Sequence, residues 1–272
     1  MAMQFFGYVL RSFIVKEHVF YSKTLLRRTL LAACVAAASL STAAQERTVQ
    51  NRPYTDLRPL HFGIVVGANM MDMKMTNVGQ QTLTLKDETQ IQSLVTVDQT
   101  NWDPGFNVGV LAEARINEFF AFRMAPQLYF GTRQLTFRNF TKSAEAGYAV
   151  EEKQSLKTVY VAANCDLIFA SKRFNNHRPY VMAGLAPVFN LTSKKTDYLQ
   201  LKGYDVFFEV GMGCDFYLPF FKLRPELKFM LGLTNSLSTE HQKTMLDAEL
   251  MPYAASVNRI KSKMFVLSFY FE

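Results

Sequence analysis

The chain closes on Phe265-Val266-Leu267-Ser268-Phe269-Tyr270-Phe271-Glu272, and this octapeptide constrains the fold more than any other stretch. Side chains of an extended strand alternate with period two. Phe265, Leu267, Phe269 and Phe271 therefore share one wholly apolar face, and Val266, Ser268, Tyr270 and Glu272 share the other. At an open sheet edge in water such a strand would be a template for aggregation. It is stable where it closes a barrel whose outer wall meets hydrocarbon, because closure pairs every backbone group with a neighbouring strand.

The opposite end of the sequence agrees. Lys23-Thr24-Leu25-Leu26-Arg27-Arg28 is a basic stretch, Thr29 to Leu40 an apolar run, and Thr42-Ala43-Ala44 a set of small residues before the polar Gln45-Glu46-Arg47. This three-part pattern predicts a secretory signal cleaved after Ala44, so that residues 1–44 form an N-terminal extension and signal peptide. The run is too short for a spanning helix, which needs about 20 apolar residues. Leu31-Ala32-Ala33-Cys34 also matches a lipobox, but the apolar stretch between Arg28 and Cys34 is too short for that reading. Removing Arg11, Lys16, Lys23, Arg27, Arg28 and Glu17 with the signal lowers the formal charge from +7 to +3, which gives no reason to expect a nucleic-acid partner.

Beyond Arg52 the chain reads as eight strands: 61–74, 105–116, 119–137, 155–170, 178–191, 204–218, 221–233 and 263–271. In the second, Phe106, Val108, Val110, Ala112, Ala114 and Ile116 share one face, opposite Asn107, Gly109, Leu111, Glu113 and Arg115. The sixth sets Val206, Phe208, Val210, Met212, Cys214 and Phe216 against Glu209, Gly211, Gly213, Asp215 and Tyr217. The connections alternate between short (117–118, 171–177, 219–220) and longer, more polar (75–104, 138–154, 192–203, 234–262). Short turns at one end and long loops at the other are the layout of a bacterial outer-membrane barrel, and an even strand number puts both termini at the periplasmic end. Phe119, Phe120, Phe220, Phe221, Tyr270 and Phe271 cluster near that end and are expected to form an interfacial girdle.

A water-soluble barrel would turn the oily faces inward. The secretion signal and the terminal strand favour the inverse, with Glu113, Arg115, Arg123, Asp166, Glu209, Asp215, Arg224, Glu226 and Lys228 pointing into the lumen. Charges confined there must neutralise one another. Eight strands leave just enough width for side chains to fill the interior. Gly109, Gly184, Gly211, Gly213 and Gly232 are expected to make room beside the long cations. The fold class is therefore all-β: an eight-stranded antiparallel transmembrane up-and-down β-barrel of the OmpA/OmpX type over residues 61–272, its lumen plugged. Residues 45–60, with two prolines, read as a stiff periplasmic segment that is either a linker or a partner contact.

Catalytic chemistry is not apparent. Cys165 and Cys214 lie on apolar faces, either as inert thiols or as a disulfide in an oxidising compartment, and neither has metal-ligand spacing. His61 and His177 sit at strand boundaries, and His18 lies in the signal region. His241, near Ser238 and Glu240, lacks a strained nucleophile motif such as G-x-S-x-G. Trp102-Asp103-Pro104-Gly105 reads as a turn and an interfacial anchor. No catalytic, cofactor-binding or metal-ligating residues are assigned, and no cofactor or small-molecule substrate is expected.

Asn51-Arg52-Pro53-Tyr54-Thr55-Asp56-Leu57-Arg58-Pro59-Leu60-His61-Phe62-Gly63, leading from the signal into the first strand, resembles the PorT family of Bacteroidetes. The likeness continues through the strand order to the aromatic last strand, which in outer-membrane barrels also resembles an assembly signal. The resemblance implies an outer-membrane component of the type IX protein secretion machinery, in contact with lipid and with other secretion proteins. A filled lumen points to an accessory or assembly role in cargo export rather than a pore. A passive structural barrel, or an adhesin acting through its long loops, is the alternative.

Overall fold

The computed structural model describes residues 49–84, 90–99, 101–148, 150–192, 198–238 and 250–272. The expected signal peptide, with His18 and Cys34, and the loop residues Glu240 and His241 lie outside the described residues. Ten strands form in chain order: β1 (Leu60–Asn77), β2 (Gln80–Thr84), β3 (Gln90–Asp98), β4 (Asp103–Arg115), β5 (Phe120–Asn139), β6 (Val150–Ala170), β7 (His177–Asn190), β8 (Tyr204–Tyr217), β9 (Lys222–Gly232) and β10 (Val257–Phe271). Among the described residues two short α-helices accompany them, α1 (Phe140–Ala146) and α2 (Met251–Ala254). Eight of the strands close a ring of antiparallel neighbours, β1-β4-β5-β6-β7-β8-β9-β10, with β10 returning to β1. The closing seam runs from Ile64 opposite Phe271 to Asn77 opposite Val257.

The connection 75–104 contains an element that its polar composition hides. β2 and β3 form a hairpin, and β3 joins the far end of β5, with Val95 opposite Asn139 and Asp98 opposite Thr136. Gln80, Thr82 and Thr84 lie on one face of β2 and Gln81 beside Leu83 on the other, so no clear alternation of polarity marks it. The connection 138–154 is likewise partly regular. Asn139 caps α1 by accepting from the Lys142 amide at 2.9 Å, and Gly147, at φ 75°, ends the helix in the left-handed region where glycine costs least.

Outward residues on the lower wall are apolar and exposed, among them Phe62, Ile64, Val66, Val108, Val110, Leu167, Leu227, Leu267 and Phe269. Their inward neighbours include the polar residues Asn107, Arg123, Gln127, Asp166, Glu209 and Glu226, all fully buried. The polarity then inverts along the longest strands. On β5, Phe122 and Leu128 face out while Arg123 and Gln127 face in; higher up, Leu135 and Phe137 face in while Gln134 and Arg138 face out. Leu135 and Phe137 join Met73, Val95, Val97, Leu156, Leu199, Leu201, Leu237, Tyr253, Val257 and Ile260 in an apolar core at the loop end. Loop segments thus fold into the mouth: Leu199 exchanges two hydrogen bonds with the Gln154 side chain, both at 3.2 Å. Asp205 accepts from the Thr234 hydroxyl at 2.6 Å and the Ser236 hydroxyl at 2.5 Å.

Three expectations need correction. Tyr270 is not in the girdle but fully buried in the lumen, because it lies one residue out of phase with Phe269 and Phe271. Arg115 stays at the periplasmic rim, where its Nε donates to the Asn117 carbonyl at 3.2 Å. Of the five lumen glycines only Gly211 lies against a long cation, Lys228; Gly213 makes room for the Tyr180 ring, Gly109 for Gln127, Gly184 for Asp166 and Gly232 for Asp205.

Candidate functional site

The lumen is filled by ionic and hydrogen-bonded layers. At the periplasmic mouth, Arg224 pairs with Glu113, with Asp215 at 2.5 Å and with Glu272 at 3.3 Å. Lys222 pairs with Glu272, which also lies 3.4 Å from His61 Nδ1. One layer up, Arg123 Nη2 donates to Asp166 at 2.8 Å and to Glu226 at 2.7 Å. Glu226 also accepts from the Tyr180 hydroxyl at 2.7 Å and the Tyr270 hydroxyl at 3.0 Å. The Arg123 guanidinium rests 4.5 Å from the centre of the Tyr270 ring. Next, Glu209 accepts from Lys228 at 3.0 Å and from Asn164 at 2.8 Å. Sequence reasoning thus finds five acids and three of the cations of this network; it places Glu272 on the inner face of the last strand without counting it among the lumen charges, and it leaves out Lys222, the first residue of β9.

Above these layers the chemistry changes. Arg133 is fully buried with no carboxylate partner; its Nη1 donates to the Tyr160 hydroxyl at 3.0 Å, and its Nε and Nη2 have no protein partner. Met71, Met230, Met264, Phe207 and Val188 fill the same region, under the apolar core of the loops. The cavity at the periplasmic mouth has a volume of about 20 Å³, room for roughly one water. The arrangement is a packed plug, with no path wide enough for a polypeptide.

The segment before β1 is not a free tail. Thr55–Leu57 forms a 3₁₀ turn in which Thr55 is buried. Asp56 accepts from the Tyr217 hydroxyl at 2.6 Å. The Asn51 side chain donates to the Tyr217 carbonyl at 3.0 Å, and Arg52 donates to the Glu272 carbonyl at 3.0 Å. Arg173 organises this clasp: its Nη2 donates to the Asn51 carbonyl at 2.5 Å, and its guanidinium stacks 3.7 Å from the Tyr217 ring centre. Arg52 is held at φ 50°, a conformation that non-glycine residues adopt only when their surroundings enforce it. The motif Asp56-Leu57-Arg58-Pro59 is therefore presented on a fixed turn, with Tyr54 and Leu57 exposed. Because charge-assisted bonds contribute about 1.5–3 kcal/mol each, Arg173→Ala is expected to speed chymotryptic cleavage after Tyr54 by at least about tenfold. The barrel itself should keep its heat-modifiable gel shift, which checks that only the clasp has opened.

The remaining candidate residues are not brought together. His177 packs edge-on against Phe216, and Ser238 donates its amide to the Gln200 carbonyl at 2.9 Å. Cys165 and Cys214 are free thiols on different strands. Trp102 packs against Phe265 with ring centres 5.0 Å apart and the rings tilted by 45°, in keeping with an interfacial anchor. Among the described residues no group of three or more His, Cys, Asp or Glu side chains is placed to hold a metal ion.

Comparison with known proteins places this geometry. No curated protein matches the sequence. Among solved structures, the chain is similar to Neisserial surface protein A, at 11% identity and TM-score 0.39, over 78% of this chain and 98% of that one. It is also similar to the outer membrane protein OprG from Pseudomonas aeruginosa, at 14% identity and TM-score 0.42, over 77% of this chain and 93% of that one. The family model described as "Outer membrane protein beta-barrel domain" matches residues 43–238, which carry β1 to β9. A lipid-facing apolar wall, a lumen of neutralising charges and this match agree: the chain belongs to the outer-membrane protein β-barrel domain family and is a protein of the outer membrane.

Proposed function

We propose that this barrel is an accessory or assembly component of the type IX protein secretion machinery, of the PorT kind, acting beside a larger conduit and without enzymatic activity. The observation that carries the reading is the Asn51–Gly63 segment: its residues resemble that family, and they are held as a rigid turn under the periplasmic mouth. A plugged eight-stranded lumen supports the accessory role, because extended or folded cargo needs a wider passage. Lipid and neighbouring secretion proteins are its partners in this reading. In a deletion strain, cargo is expected to accumulate in the periplasm while the outer membrane stays intact. Affinity capture from detergent-solubilised outer membrane should co-purify secretion proteins, and substitutions in 51–58 should weaken that capture. Normal export in the deletion strain would end the proposal.

One observation favours a second reading, a structural barrel or adhesin. The β2–β3 hairpin and long strands β5 and β6 carry the protein well beyond the membrane, offering a surface outside the cell. Replacing residues 239–249 by a short linker spares the buried Leu237 and Tyr253 and so tests the loops without unfolding the core. Lost adhesion with normal export would support this second reading.

A further inference from the structure

The outer wall of β1 and β10 changes character abruptly. From the periplasmic side, the outward residues of β1 are Phe62, Ile64, Val66, Ala68 and Met70, followed by Asp72 and Lys74. Those of β10 are Phe271, Phe269, Leu267 and Phe265, followed by Lys263, Lys261 and Arg259. The eight steps from Phe62 to Met70 cover about 27 Å of strand. At the tilt of ~40° usual in such barrels this spans roughly 20–25 Å, close to the height of an apolar band. Met70 lies opposite Phe265, and Trp102 and Phe229 pack on Phe265 at 5.0 and 4.6 Å. An aromatic cluster therefore marks the upper edge of the hydrocarbon. With the termini periplasmic, this is the edge facing the outer leaflet.

Directly above it the register sets Asp72 opposite Lys263, Lys74 opposite Lys261 and Thr76 opposite Arg259. Lys263 is met by Asp72 at 3.6 Å. Lys74, Lys261 and Arg259 form no ion pair among the described residues. Like charges directly opposite on paired strands repel, since facing side chains are only about 4.5–5.5 Å apart at Cβ. Lys74 and Lys261 are nonetheless held in that relation, on the lipid side of the wall and at the depth of the headgroups. Among the described residues, four cations at this level face one carboxylate, an excess of charge that an anion from outside the barrel would balance.

We propose that Lys74, Lys261, Lys263 and Arg259 form a binding site for a phosphate of the outer-leaflet glycolipid, with Lys74 and Lys261 as its two principal donors. The acyl chains of the same molecule lie along the wall of Met70, Phe265, Leu267 and Val66. The chemistry is a phosphate monoester anchored by charge and by apolar contact at once. Neither a free anion nor an uncharged lipid satisfies both halves.

The test uses the full mature chain reconstituted in nanodiscs and native mass spectrometry of bound lipid. The probes are phosphorylated lipid A, its dephosphorylated form, phosphatidylglycerol and inorganic phosphate. The wild-type barrel is expected to retain phosphorylated lipid A. Lys74→Ala/Lys261→Ala should retain it roughly tenfold less or weaker still, as for losing two cations at an anionic lipid surface. Lys74→Arg/Lys261→Arg, which preserves the charge, should restore binding. All these variants should keep the heat-modifiable gel shift, since the two side chains point away from the lumen. Lys153→Ala/Lys157→Ala, on β6, should leave retention unchanged. The site is refuted if dephosphorylated lipid A or phosphatidylglycerol is held as well as phosphorylated lipid A. It is equally refuted if inorganic phosphate displaces the lipid at equal concentration, or if the alanine pair at 74 and 261 binds like wild type.

Discussion

Replacing Arg123 by methionine is expected to destabilise the barrel by about 3–5 kcal/mol, the cost of leaving buried charge without its partner. Arg123 is fully buried and is the guanidinium against which both Asp166, at 2.8 Å, and Glu226, at 2.7 Å, are neutralised. Methionine keeps the apolar stem of the side chain but leaves two carboxylates without their cation in the middle of the lumen. Neutralising them as well, in Arg123→Met/Asp166→Asn/Glu226→Gln, should recover most of the loss, because a buried ion pair contributes little beyond an apolar or neutral set of the same volume. Arg133→Met provides the contrast. Arg133 has no carboxylate to abandon and lies among methionines, so its replacement should be neutral or stabilising. Denaturant unfolding in phospholipid vesicles measures all three, and equal costs for Arg123→Met and Arg133→Met would contradict the layered lumen.

Val66→Arg is expected to cost about 2–4 kcal/mol, the penalty for a cation on the lipid face near the bilayer midplane. Val66 lies halfway along the apolar stretch of β1, faces outward and is 43% exposed. In a barrel surrounded by water the same change would be nearly neutral. The experiment therefore tests which solvent surrounds the wall. Trp102 is the only tryptophan of the chain and packs at the upper edge of the band, so its fluorescence reports folding into vesicles directly. A Val66→Arg protein that folds as well as wild type, in water without surfactant, would overturn the inside-out arrangement.

The barrel was legible because its strands obey one simple rule. Period two in β4, β8 and β10 separates lipid-facing from lumen-facing residues without ambiguity, and the eight ring strands follow from it with shifts of a few residues at their ends. What stayed hidden obeys other physics. In the β2–β3 hairpin, β2 is Gln and Thr around a single Leu, and β3 brings Ile91, Val95 and Val97 inward with Ser93 between them, a short mixed pattern unlike the long oily faces of the wall strands; its place is decided by the free edge that β5 offers above the membrane. The clasp at 51–58 reads in sequence as a stiff segment, because its prolines and charges look solvated. Its partners, Tyr217, Arg173 and Glu272, are more than 100 positions away, and no local pattern could link them. Tyr270 was placed in the girdle by its aromatic character, though its parity assigns it to the interior, where its hydroxyl meets Glu226. Parity was the better guide, because in a strand the direction of a side chain is dictated by the backbone.

The inversion of polarity along β5 also sets the height at which the protein floats. Sinking by one residue pair would drag Gln134 and Arg138 toward oil, and rising would lift Phe130, at the upper end of the apolar face, toward water. Each displacement is opposed from one end by the same force that favours it at the other. The barrel therefore carries its own waterline, and a bilayer of different thickness has to bend to meet it.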